Sequence, residues 1–541
     1  MTRLAAAGWA LALALVTFYQ FPGHTWLAQD SQIYVPILEH LRDPTVLRND
    51  RLAQQPHVAY TLYDETARLV RAWTGLGFRE GLELQQVAAR ALGIWGLYLM
   101  ATALGLPFAP AMLIASICAL GASVAGPQVL TFEYEPVPRG FAVLLLMCAA
   151  GLAAHRRLLG AGIAAGAAFL YHPPTALPFW MLLVALVWWP GRPDKARERW
   201  RNLAPLVAAA LVLLVASRLQ AGAGQVLWGH LSAAQERLQR FRAPYVWIST
   251  WPWALMAHHL LVWAVSLAAY ARIRRDIPGE LRVLLLGLPA MGILSMPLSW
   301  LLLEHAKWAL VPQLQPLRNL LFGALAMQFL TAAAGAWAAL RRRSLEAAGW
   351  FALAYLLPLQ PTLTDPFSWR RAAVAVGLAL IAATVTWISK QPRWRWAPMA
   401  GVAAFWAIPA IGGVVNYPQL ETPELEQLSQ WARAATPRDA VFLFPDAARS
   451  LDPGIFRSEA LRAVYVDWKA GGQVNYLADF GDEWWFRWQQ TMAGRFKTPE
   501  LAKYDGLGIQ YLVLKPEHRL AQPAVFENGR YLVYRTRQGT F

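Results

Sequence analysis

Thirteen apolar runs separated by polar segments organise residues 1–417: 4–22, 87–105, 107–125, 139–154, 158–171, 173–189, 203–219, 251–271, 281–303, 319–340, 346–361, 371–388 and 397–415. A helix needs about 17 to 25 mostly apolar residues to cross a bilayer, so the pattern predicts an α-helical multi-pass membrane protein with about thirteen transmembrane helices. The long polar stretch 23–86 holds Pro44, Pro56 and apolar periodicity from Tyr60 to Val70, which predict short helices lying along the membrane surface. The pattern changes at Pro418. Glu421 to Ala435 has a helical period, Thr436-Pro437-Arg438-Asp439 reads as a turn, and 440–444 reads as a buried strand. Strands follow at 463–466 and 511–514, helices at 483–493 and from Thr498, and a hairpin over 525–535 around Asn528-Gly529. Residues 418–541 are thus expected to form a small soluble α/β domain.

Composition agrees: 57% of the chain is hydrophobic and 15% charged, against roughly 25% charged in soluble proteins. The net charge of +16 raises the question of nucleic acid. From Pro418 to Phe541, however, 15 Lys/Arg balance 15 Asp/Glu, so the excess belongs to the apolar part and no nucleic-acid partner is expected. There it forms clusters: Arg156 and Arg157; Arg192, Lys195, Arg197, Arg199 and Arg201; Arg272, Arg274 and Arg275; Arg341 to Arg343; and Lys390, Arg393 and Arg395. Placing every cluster in the cytoplasm gives one threading, with the N-terminus inside and 418–541 exported. The expected location is a membrane, with the first run as an uncleaved helix. Cys118 and Cys148 both lie in apolar runs, so neither a disulfide framework nor a cysteine zinc site is expected.

This threading collects the substantial polar loops on the outer side, and the candidate chemistry lies there. Asp30, just past the first run, is either a helix cap or a partly desolvated carboxylate able to take a proton. Glu133 and Glu135 offer a second acid or, beside Asp30, a divalent-metal ligand, and Arg139 follows as a phosphate or carboxylate partner. His172, in Tyr171-His172-Pro173-Pro174, sits where prolines break an apolar stretch, as a structural residue, a phosphate contact or a proton carrier. Glu304, His305 and Arg318 share another outward loop, Arg318 being a phosphate ligand or a membrane anchor. In the C-terminal segment Arg462, Lys469 and Arg487 mix with Trp468, Trp484, Trp485 and Trp488, a composition suited to sugars or anionic lipids and equally to an aromatic core. No nucleotide-binding glycine loop, zincin motif or serine-hydrolase elbow occurs.

With Asp30 after the first helix, Tyr171-His172-Pro173, Gln315-Pro316-Leu317-Arg318 and the pattern from Trp431 to Phe444, the chain resembles the GT-C class of integral-membrane glycosyltransferases, in a bacterial subfamily with an exported α/β domain. The resemblance implies a polyprenyl-phosphate-linked sugar as donor, an acceptor it does not specify, and chemistry at the outer membrane face. It makes Asp30 the catalytic base, with Arg139, His172 and Arg318 on the donor phosphate. Asp30 lacks the second acid of an Asp-Glu or Asp-x-Asp pair, which leaves the chain's status as an enzyme open. The alternatives are a transporter or flippase of lipid-linked saccharide and a non-catalytic glycan-binding assembly protein.

Overall fold

In the computed structural model, residues 3–55, 61–189, 195–219, 229–356, 369–389, 399–412, 420–494, 496 and 501–537 are described. The expected boundary at 417/418, the cluster Lys390, Arg393 and Arg395, and Arg192 lie outside them. Helix α1 (Arg3–Tyr19) fills the first apolar run, and two short helices, α2 (Ser31–Arg42) and α3 (Tyr63–Thr74), occupy the first polar loop as its periodicity predicts. The next runs form α4 (Phe78–Ala103), α5 (Phe108–Ala119), α6 (Pro138–Ala154), α7 (Leu158–Tyr171), α8 (Pro173–Val187) and α9 (Ala196–Leu219). A short helix α10 (Ala233–Arg242) precedes α11 (Trp253–Ile273) and α12 (Gly279–Ser299). One π turn, Trp300–His305, and the short α13 (Val311–Leu314) lead to α14 (Leu320–Leu340), then α15 (Ser344–Leu356), α16 (Trp369–Ile388), α17 (Met399–Val402) and α18 (Ala404–Gly412).

Every apolar run therefore carries helix. Four helical stretches among the described residues are long and apolar enough to cross a bilayer alone: 196–218, 253–273, 279–305 and 311–340. The others are shorter or carry more polar residues. α14 is the hub, packed against α5, α11, α12, α15 and α16. The crossing of α4 with α6 depends on small residues: a Cβ on Gly96 would lie 2.3 Å from the Met147 carbonyl oxygen, and one on Gly151 would lie 2.4 Å from that of Gly96.

Three of the Arg clusters meet at one end of this bundle, joined by the ion pairs Arg156–Glu280 (3.2 Å), Arg272–Glu346 (2.5 Å) and Arg341–Asp276 (3.4 Å). Arg139 opens α6 while Arg156 follows its far end, and Arg157 precedes α7 while His172 closes it. The candidate loops thus share the opposite end.

The C-terminal part contains α19 (Pro423–Ala435), β1 (Val441–Leu443), α20 (Asp452–Ala460), β2 (Ala463–Val464), α21 (Ala478–Thr491), α22 (Leu501–Asp505), β3 (Tyr511–Leu514), β4 (Phe526–Glu527) and β5 (Leu532–Arg535). Strand order is β2-β1-β3-β5-β4, with β1 parallel to both β2 and β3, and β5 antiparallel to β3 and β4. The hairpin forms around Asn528-Gly529 as expected, and α20 is an element the sequence reading omits. This unit packs on the first loop. Leu27 and Val35 enter its core beside Phe442, Ile455 and Phe456. Arg457 (1% exposed) binds Asp50 (2.6 Å) and Asp467, both equally buried.

Candidate active site

The segment that presents Asp30 is fixed by a charge buried inside α4. Arg90, wholly buried, donates to the carbonyls of Thr17 (2.6 Å), Gly23 (2.7 Å) and Glu133 (2.8 Å), tying the end of α1 to the loop before α6. Asp30 occupies the N-cap position of α2 yet makes no capping hydrogen bond. Glu135 caps that helix instead, accepting from Gln29 N (2.6 Å), Ser31 N (3.3 Å) and Ser31 Oγ (2.7 Å). Because a residue more than a hundred positions away supplies the cap, the Asp30 carboxylate turns elsewhere and meets Lys469 Nζ at 2.7 Å.

Both belong to a cavity of about 610 Å³ at the loop end of the bundle. Of the residues the sequence nominated, Asp30, Glu133, Glu135, Arg139, His172, Arg318 and Lys469 line it together. Arg242, Arg449, Tyr34, Tyr245, Tyr476 and Trp468 also line it; among these the sequence reading had singled out only Trp468. The strand topology accounts for Arg449, Trp468 and Lys469. They lie in the loops after β1 and β2, at the carboxyl ends of parallel strands, where α/β folds present ligand-binding loops.

The other nominated residues lie elsewhere, each satisfied by its own packing. Glu304 accepts from Ser249 N (2.9 Å) and pairs with Arg240 (3.5 Å), stitching the π turn to the segment after α10. His305 packs edge-on to Trp300, ring centres 4.1 Å apart. Arg462 donates to Thr436 Oγ1 (3.0 Å) and to the carbonyls of Arg433 (2.9 Å) and Thr436 (2.8 Å), closing the end of α19. Arg487 binds Glu483 (2.7 Å) and the Tyr465 carbonyl (3.0 Å). Trp484 and Trp488 are core residues.

Within the cavity Glu133 receives both Nε (2.9 Å) and Nη2 (2.7 Å) of Arg139 on one oxygen, so that pair is internally neutral. Arg318 has no such partner. Its Nε is buried without a hydrogen bond among the described residues, and its guanidinium lies 5.9 Å from the centre of the Tyr245 ring. The turn that delivers it begins at Gln315, a non-glycine residue in the left-handed region (φ 46°), whose side-chain nitrogen donates to the Tyr476 hydroxyl (2.7 Å). Strain of this kind persists where surrounding contacts hold it.

Burial favours the protonated form of Asp30, but Lys469, Arg139 and Arg318 outweigh it and hold the carboxyl well below the usual range. Burial raises Glu135, opposed by its bond from Ser31. Burial, with Arg318 and Arg139 nearby, pulls the His172 pKa well below its ordinary value, so the ring is neutral at pH 7. His172 Nδ1 accepts from Thr175 N (3.3 Å), which places the proton on Nε2 and makes the ring a neutral donor rather than a cation for phosphate. A metal between Asp30, Glu133 and Glu135 does not fit this donor set. Glu133 is engaged by Arg139, Glu135 by N–H and O–H donors, and Asp30 faces cations. Among the described residues no group of three metal-ligating side chains converges. With five basic side chains against three acids, the cavity suits an anion.

A family model described as a domain of unknown function, DUF6798, matches residues 423–491, the segment that supplies Arg449, Trp468 and Lys469. No curated protein sequence matches. The chain is similar to two crystal structures of ArnT from Cupriavidus metallidurans, one in the apo state and one bound to undecaprenyl phosphate. Each has 12% identity and a TM-score of 0.47, covering 99% of this chain and 97% and 98% of those chains. A cryo-EM structure of the arabinofuranosyltransferase AftD from Mycobacteria aligns with 16% identity and a TM-score of 0.41, over 97% of this chain and 37% of that one.

Proposed function

We propose that the protein is a GT-C-like membrane glycosyltransferase that moves a sugar from a polyprenyl-phosphate-linked donor to an acceptor at the outer face of a bacterial inner membrane, with Asp30 as base. The N-terminus is then cytoplasmic and the C-terminal unit periplasmic. The observation that carries this reading is the convergence of Asp30 with Lys469, Arg318, Arg139 and His172 in one anion-suited cavity. Beneath it the same helices continue into an apolar cleft. Val143 lies one turn below Arg139 and Phe322 one turn below Arg318, with Phe179 on α8 beside them. A phosphate at the cationic mouth and a prenyl chain in the cleft suit this sequence of surfaces. Arg318 contacts the phosphate through its fork, His172 donates from Nε2, and Asp30 takes the proton of the acceptor hydroxyl as the sugar–phosphate bond breaks. The direct test incubates full-length protein in nanodiscs with a panel of undecaprenyl-phosphate sugars and a bacterial envelope extract as the source of acceptor hydroxyls, and measures release of undecaprenyl phosphate. Absence of release from every donor that binds would reject the reading.

One observation favours a second reading, a non-catalytic lipid-phosphate-binding protein: Asp30 is tied to Lys469 and is a weak base in that state. In the transferase the donor phosphate must draw the ammonium away. A non-catalytic protein shows no turnover with any donor; where there is turnover, Lys469→Met tests the base role of Asp30 through pH. A carboxylate base is active above its pKa and loses activity as pH falls through it, and Lys469 is the leading charge lowering that pKa. The acid limb of the kcat/KM profile is therefore expected to move upward by about 1 pH unit or more in Lys469→Met. A lysine with a purely structural role would lower the whole profile without shifting it.

Arg318 gives an independent measurement. Arg318→Lys is expected to weaken undecaprenyl phosphate binding about tenfold and Arg318→Ala further, since an ammonium provides charge without the fork. Equal saturation curves for Arg and Lys would show that Arg318 only anchors its helix.

A further inference from the structure

Two cations in the cavity are not used by the transfer described above. The guanidinium carbons of Arg242 and Arg449 lie 4.4 and 4.5 Å from the centre of one ring, that of Trp468, and Arg449 is also 5.4 Å from the centre of Phe241. Neither makes an ion pair among the described residues. Arg242 donates from Nε to the Trp468 carbonyl (2.9 Å) and from Nη2 to the Lys469 carbonyl (3.4 Å), while Arg449 among the described residues contacts the rings of Phe241 and Trp468. Asp467, the acid of this segment, is held by the buried Arg457.

The arrangement is built into the backbone. α10 starts with a capping box, Ser232 and Gln235 satisfying each other's backbone N–H, and ends at Arg242. Arg242 lies against Gly471, where a Cβ would come within 2.5 Å of the Trp484 ring and 2.9 Å of Arg242 Nε. A side chain there would displace the guanidinium, so glycine is what lets it seat. Burial lowers the Arg242 pKa from its ordinary value, against the opposing pull of Tyr245, Asp467 and Asp30, and Arg449 adds to it only slightly. Two like charges held against one indole, neither ion-paired among the described residues and both facing a cavity, leave a place for an anion. Arg318 sits apart from this pair in its ring contact, over Tyr245 rather than Trp468.

We propose that Arg242 and Arg449 form a second anion subsite, separate from Arg318, which holds a phosphate-type group of a substrate while the lipid phosphate occupies the first. The inference deepens the transferase reading and rests on it for the identity of the first anion. The group comes either from an acidic acceptor or from a second phosphate of the donor, and the same experiment separates these sources.

Full-length protein in nanodiscs is loaded with undecaprenyl phosphate and titrated with inorganic pyrophosphate, followed by calorimetry. One further equivalent is expected to bind the loaded protein. Arg449→Gln, in an exposed loop, and Arg242→Gln should each weaken it about tenfold or more. Undecaprenyl phosphate affinity should change less than about twofold in Arg449→Gln, and Arg318→Ala should give the reverse pattern. Loading with undecaprenyl diphosphate then assigns the source. If pyrophosphate binding is lost, the subsite serves the donor's second phosphate; if it persists, the subsite serves the acceptor. The proposal is overturned if pyrophosphate fails to bind the loaded protein, displaces undecaprenyl phosphate one for one, or binds Arg449→Gln as tightly as the parent protein. These readouts involve no turnover, so two anion sites without sugar transfer would sink the transferase reading alone.

Discussion

Asp30→Asn is expected to lower sugar transfer by about 10²- to 10⁴-fold, the usual cost of losing a positioned base. The variant should fold, because Glu135 rather than Asp30 caps α2 and Asn matches the shape of Asp. Donor binding should hold or tighten. Removing the carboxylate frees Lys469 from its partner and leaves the cavity more positive, so an anionic donor gains a cation instead of losing a contact. Transfer rate and undecaprenyl phosphate affinity in the same preparation check this together. A fall in affinity matching the fall in rate would point to a damaged site, and near-normal transfer would remove Asp30 as base.

Arg457→Met is expected to destabilise the protein by about 3–5 kcal/mol, because it leaves two buried carboxylates without their cation. Asp50 keeps its bonds from Leu52 N (3.0 Å), Ala53 N (3.1 Å) and Val464 N (2.9 Å), but those dipoles do not replace a guanidinium. The damage should reach the cavity, since Asp467 also fixes the turn that carries Lys469 by accepting from Ala470 N (3.0 Å). Thermal unfolding and limited proteolysis should show the C-terminal unit loosening from the first loop. The triple variant Asp50→Asn, Asp467→Asn, Arg457→Met should recover part of the loss, because it removes the stranded charges. No loss of melting temperature in Arg457→Met would mean that the apolar contacts around Leu27 and Val35 dock the unit alone.

The helices were legible because each is an apolar run, and several ends are marked by prolines and Arg clusters, as at Pro138, Pro173 and Arg341. Local signals also located Asp30 just past the first run, His172 where prolines break an apolar stretch, and Arg318 at the edge of the run 319–340. Lys469 was legible as a residue but not in its role, since its partner lies 439 positions away and only the tertiary fold joins them. Arg462 and Arg487 carry the same local signal as Lys469, an Arg or Lys among aromatics, yet their hydrogen bonds go to carbonyls and Glu483. Composition does not separate a ligand-facing cation from one that closes a helix. Two signals went unused: Ser232-Ala233-Ala234-Gln235 fits a capping box and marks the helix that delivers Arg242, and Arg90 is a lone charge inside an apolar run.

The ion pair between Asp50 and Arg457 spans 407 residues of chain. At about 5–20 residues per second, the ribosome needs roughly 20 to 80 s to go from one to the other. Throughout that interval the first loop stands outside its final environment, with Asp50 unpaired and Asp30 still waiting for Lys469. The cavity therefore cannot close until residues 449–476 have been made. A chain cut before Arg449 would carry the helices and the Asp30 carboxylate but not the wall that completes the chamber.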